Sequence, residues 1–170
     1  MDYRKYYFLE EYLLGDVRKN FHRRGYLTAD EFFCIVIWKA NRAKTAIKKK
    51  LLIIGKDIGE AVRQVTSDVH QAATKEKKLE LLLNKWNFML PMATAILTIL
   101  YPDDFTVYDV RVRDQLGVDD FSGSKHQVHQ YFSSYLPKVK AVKVTGSLRD
   151  GDRYLWGKSF YEDLMKFITS

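Results

Sequence analysis

The sequence predicts an all-α protein, a compact multi-helix domain of roughly eight to ten helices. Three observations lead there. Apolar residues recur at the three- and four-residue spacing of a helix face along most of the chain. Prolines stand only at 91, 102 and 137, so little interrupts such helices. No strands alternate with helices, and no runs of hairpin turns appear.

Taken in order, "YFLEEYLL" forms a first helix that should stop near Gly15, and a second short helix through Val17 and Phe21 should stop at Gly25. In "LTADEFFCIVIWKANR", Thr28 and Glu31 make a capping box, each side chain serving the other's free backbone N–H. The seven apolar residues from Phe32 to Trp38 suit a buried strand by composition, but the cap and the length favour a buried helix. Ala43, Ile47, Leu51 and Ile54 stripe the next helix, with Gly55 and Gly59 as punctuation. Further helices are expected over about 60–71 and 75–86. "KHQVHQYFSSYLPKVKAV" should break or kink at Pro137; a last helix should start at Ser147 and turn at Gly157. "FTVYDVRVRDQL" is ambiguous: Val110 and Val112 alternate with arginines as in a strand, whereas a helix from Asp109 would bury Val112 and Leu116 one turn apart. The whole reads as one helical domain over 1–170, or as two helical lobes, about 1–75 and 76–170, around a cleft.

Composition bounds the function. The lone cysteine, Cys34, lies in an apolar run and excludes an intramolecular disulfide framework or a cysteine-only metal site. No apolar stretch is long enough to span a membrane and the N-terminus lacks a signal-peptide pattern, so a cytoplasmic location is expected. His126 and His129 are three apart, but no third ligand accompanies them; no metal or cofactor is implied. The net charge is +7, and all of the excess lies in residues 1–85, with 18 basic against 11 acidic residues. Lys39, Arg42, Lys44, Lys48, Lys49, Lys50 and Lys56 follow one another without an acid. Such a patch attracts a polyanion, or simply solvates a helix face.

The stretch "NFMLPMATAILTILYPDDFTVYDVRV" is apolar until a proline and two aspartates, Pro102 to Asp104, stop it; beyond Thr106-Val107 a lone carboxylate, Asp109, then precedes Arg111 and Arg113. From Leu83 to Arg113 the chain resembles the helix-hairpin-helix DNA glycosylase superfamily. "LLLNKW" aligns with the first helix, Asn87-Phe88-Met89 with the hairpin, "ATAILTILY" with the second helix, and "PDDFTVY" with the loop that leads to the catalytic aspartate. The resemblance implies a helix-hairpin-helix motif, duplex DNA with a damaged or modified base as partner, and Asp109 as the catalytic residue. Asn87 and Met89 stand where the family has glycines. Pro91 stands where its bifunctional members carry a lysine nucleophile. The implied enzyme is therefore a monofunctional base-excision hydrolase that uses water.

Cleaving an N-glycosidic bond builds positive charge on the sugar, which a carboxylate stabilises while orienting water. Asp109 also suits a plain helix cap, and the two roles are compatible. Asn87, Phe88, Met89, Lys39, Arg42, Arg111 and Arg113 are the candidate DNA contacts. An extruded base needs a planar wall, and Trp38, Tyr101, Tyr108 and Trp156 are candidates, although in a chain this rich in aromatics each suits a core better. "RDGDRYLWGKSF" makes a helix corner or brings Arg153 or Lys158 to the same cleft. Two other readings remain open: a non-catalytic nucleic-acid-binding module, and a helical interaction domain without nucleic acid.

Overall fold

The computed structural model describes residues 2–55 and 57–170; Lys56, counted in the basic run above, lies outside the described residues. Helices account for the regular structure, and no strand occurs among the described residues. No helix among them is long and apolar enough to cross a membrane.

A short 3-10 turn, Tyr3–Tyr6, precedes helix α1, which runs over 9–24. Its expected stop at Gly15 does not occur. The helix passes through Gly15 by widening to a π turn over Leu13–Val17, where Arg18 N–H donates to Leu13 O, and ends at Gly25 with φ 81°. Leu13, Val17 and Phe21, all fully buried, hold both halves to one core, and that packing outweighs the helix weakness of one glycine.

Helix α2, Ala29–Ala40, carries the expected capping box. Glu31 also pairs with Arg24 and accepts from Asn20 Nδ2 at 3.1 Å, tying α2 to the end of α1. Phe32, Ile35 and Val36 are buried in it, so the apolar run is helical. Helix α3, Lys44–Ile54, turns Ile47 and Leu51 inward and its lysines outward. Helix α4, Ile58–Gln71, is capped by Asp57 and buries Val62, Val65 and Val69. Lys78, from the next helix, donates to the free carbonyls of Val69 at 2.8 Å and Ala72 at 2.7 Å, closing the C-terminus of α4.

Helix α5 covers 75–85, ending in a π turn over Leu81–Lys85. After a tight turn comes helix α6, Leu90–Leu100, in which every residue from Met92 onward is buried. A helix buried all round must satisfy its own polar groups. Thr94 and Thr98 do so by donating back to Leu90 O at 2.8 Å and Thr94 O at 2.7 Å. The ambiguous segment resolves as helix: α7, Val110–Gln115, starts at Asp109, buries Val112 and half-buries Leu116.

Helix α8 spans 127–140 and is not broken at Pro137. A π turn over Tyr131–Tyr135 stands just ahead of the proline, and the helix resumes with Pro137 in the first turn of Leu136–Lys140, where a missing N–H costs little. Helix α9, Leu148–Thr169, opens with a Ser147–Asp150 capping box and runs straight past Gly157, where a turn was expected. One apolar core, from Tyr12 on α1 to Leu155 on α9, links these helices.

Candidate active site

The segment 105–109 between α6 and α7 is extended and almost wholly buried, yet it belongs to no sheet. Buried backbone polar groups need partners. Here side-chain hydroxyls of neighbouring helices supply them. Tyr131 Oη donates to Thr106 O at 2.6 Å and accepts from Thr106 N–H at 2.9 Å. Tyr108 N–H donates to Thr94 Oγ1 at 2.9 Å. Tyr135 Oη donates to Val107 O at 2.7 Å and accepts from Asp109 N–H at 3.3 Å. Burial pushes both α8 phenols well above their ordinary range, so they stay protonated donors.

This brace delivers Asp109 to the start of α7 with φ −126° and ψ 140°. Asp109 Oδ1 accepts from Arg111 N–H at 3.0 Å, the cap interaction. Oδ2 accepts from Lys39 Nζ at 2.6 Å. The two side chains retain 19% and 16% of their exposure, an ion pair between surface and interior.

The pair lines a cavity of about 450 Å³ between elements of the two halves of the chain. Glu10 of α1 and Trp38 of α2 form one side, and Arg149, Asp152, Arg153 and Trp156 of α9 the other. Three acids and three bases therefore face one cavity. Arg149 pairs with buried Asp152, donates to Glu10 Oε1 at 2.7 Å, and lies over the Trp38 ring at 5.1 Å. Burial pushes the Asp152 carboxyl up, more than the Arg149 guanidinium pulls it down. Burial also pushes Glu10 up, but Arg149 and Arg153 together hold it below the usual carboxylate range.

Of the four aromatic candidates, Trp38 and Trp156 line this cavity. Tyr108 is buried elsewhere, its ring against Tyr135 and Phe121 and its hydroxyl donating to Asp120 at 3.0 Å. Tyr101 packs against Phe21 and His22 on another side, its phenol pushed up to about 12 by burial.

The candidate DNA contacts divide as well. Lys39, Arg42, Phe88 and Met89 line a second, mainly apolar groove of about 310 Å³ that shares Lys39 with the first cavity. Asn87 is the turn residue between α5 and α6; its φ is 53°, the one positive value at a non-glycine among the described residues. Asparagine tolerates this left-handed conformation better than most residues. Lys50 of α3 donates to Asn87 O. Met89 sits in extended backbone, φ −69°, and is 69% exposed, while Phe88 is buried below it. Arg111 lies over the Trp156 ring at 5.6 Å and pairs with Asp163 at 2.6 Å. Arg113 is taken up by Asp114 at 2.8 Å and Asp120 at 2.9 Å. Arg153 reaches the cavity, whereas Lys158 pairs with Glu162 at 2.7 Å and donates to Gln115 at 2.6 Å.

Glu10, Arg149, Asp152, Tyr131 and Tyr135 were not singled out from the sequence. Their signals are short: an acid three residues after Arg149, and two tyrosines one turn apart. Comparison of the chain with protein-family models, with curated proteins and with solved structures finds no match in any of the three.

Proposed function

We propose that the chain is a monofunctional DNA glycosylase, a hydrolase that removes a damaged or modified base with Asp109 as its catalytic carboxylate. The observation that carries this reading is a braced, half-buried carboxylate in a cavity walled by two tryptophans, beside a groove edged with basic side chains. The order of parts adds support: a helix, a turn with a left-handed residue, a buried helix, an extended segment, then the aspartate at a helix start. An extruded base would lie between Trp38 and Trp156. Asp109 would face the sugar, stabilise its developing positive charge and orient water. Lys39 would pass from Asp109 to a DNA phosphate as substrate enters, with Arg42, Lys48 and Lys49 on the exposed side adding salt-sensitive affinity.

The second reading, a nucleic-acid-binding module without catalysis, is favoured by the ion pair itself. Both Asp109 oxygens already have a partner, which suffices for a purely structural aspartate.

End-labelled duplexes carrying one altered base each (uracil, hypoxanthine, oxidised guanine, alkylated purines, bulky pyrimidines) separate the two. Strand breaks that appear only after hot alkali, and vanish with Asp109→Asn, are expected. Breaks on none of them, at protein concentrations where the duplexes are bound, would leave the binding module. A covalent adduct after borohydride reduction would replace water by an amine, with Lys39 the first to test.

A further inference from the structure

Helix α9 is two-sided beyond the cavity. Its inner side meets α7: Arg111 Nη1 donates to Asp163 at 2.6 Å and to Ser159 at 3.3 Å, and Gln115 Nε2 donates to Glu162 at 2.7 Å. The opposite arc carries Phe160, Tyr161, Leu164, Phe167 and Ile168, every one exposed, Phe167 to 80%. At about 100° per residue, Lys158, Glu162, Asp163 and Lys166 all fall outside that arc. No residue of α9 after Leu155 is buried. Together the five side chains offer roughly 600 Å² of largely apolar surface. That matches the largest patch usual on a monomer, a size that marks an interaction surface.

Gly157 lies in the same arc. Glycine weakens a helix interior, and a Cβ there would meet nothing within 4 Å. The chain's own packing gives no reason for this glycine; a second backbone crossing close above it does.

We propose that this arc is the interface of a homodimer, with α9 of each chain crossing its counterpart on a two-fold axis near Gly157 and Phe160. Two such faces together bury roughly 1,200 Å², the lower end of stable interfaces. An arc without charge gives a polyanion nothing to hold. The four charges behind it cancel, whereas a helix that lies on lipid presents a basic polar face. A second copy brings the same aromatic, uncharged surface to meet the first, as a self-complementary two-fold contact requires.

Sedimentation equilibrium of the full chain decides. The wild type is expected at twice the 20.0 kDa chain mass. Phe160→Glu and Gly157→Leu are each expected at the single-chain mass with an unchanged far-ultraviolet spectrum, since both positions face solvent in one chain. A wild type that stays at the single-chain mass at its highest soluble concentration overturns the proposal. So does a dimer that survives either substitution. Wild-type monomers that float with phosphatidylcholine vesicles would give the face to lipid instead, and overturn it too.

Discussion

Tyr135→Phe removes a single oxygen from the brace behind Asp109. The fully buried hydroxyl serves two backbone groups, donating to Val107 O and accepting from Asp109 N–H. The ring stays, so its contacts with Tyr108 and Tyr131 are kept and the change is almost purely polar. Stranding a buried polar group costs about 1–3 kcal/mol. Val107 O lies at 2.7 Å in the interior and takes the full penalty; Asp109 N–H, at 3.3 Å and beside the cavity, can find water and takes less. The expected loss is about 2–4 kcal/mol, or a fall in melting temperature of roughly 4–12 °C for a chain of this size. Urea denaturation followed by circular dichroism measures it, and an unchanged m-value would place the effect on the native state. A loss below about 0.5 kcal/mol would mean that the brace does not hold the segment, and the account of how Asp109 is positioned would fail.

Asp109→Asn keeps a favoured cap residue and gives up the Lys39 ion pair; we expect a stability loss of about 1–2 kcal/mol with base release down at least about 100-fold, read by melting and by alkali-dependent strand cleavage. Asn87→Gly should leave stability within about 0.5 kcal/mol, whereas Asn87→Val should lose about 1–2 kcal/mol at φ 53°, measured by urea titration. Asp152 gives a signed pH effect. Its carboxyl is raised in the folded state, chiefly by burial, so its contribution to stability is present below the unfolded value near 3.8 and is lost as pH rises through the raised value. Asp152→Asn should remove that loss from a melting-versus-pH profile, and a profile of unchanged shape would count against the burial argument. Arg42→Ala with Lys49→Ala should lower the slope of log affinity against log salt by about 2 if both touch phosphate, read by fluorescence anisotropy on a duplex.

The helical class was legible because its signals are local. Thr28 and Glu31 announce their cap, and Phe32 to Trp38 behave as a cap followed by a long apolar run predicts. The errors fall at local breakers, two glycines and a proline, that the helices run through. Gly15 lies inside α1 because Leu13 and Val17 on either side of it are buried. Pro137 stays in α8 because the π turn ahead has already shifted the hydrogen bonds. Gly157 stays in α9 with no packing around it in the chain.

The site was less legible than the fold. Asp109 stood out as a lone acid after an apolar helix, but its partner Lys39 lies 70 residues away and read as one cation in a run. Arg149 and Asp152 look like an ordinary helix-start pair until α9 packs across from Trp38. Hydroxyl-to-backbone bonds such as those of Tyr131 and Tyr135 leave no periodic trace, since a buried tyrosine and a bracing tyrosine occupy the same pattern.

The π turns carry a consequence for how this chain can change. Each is equivalent to one residue inserted into a helix without unwinding it. Deleting one residue between Tyr131 and Tyr135 would restore ordinary helix and leave the turns on either side facing as before, whereas the same deletion in an α-helical turn would rotate one side against the other by about 100°. The widened turn is thus where this helix can lose a residue and still aim both hydroxyls at the segment that carries Asp109.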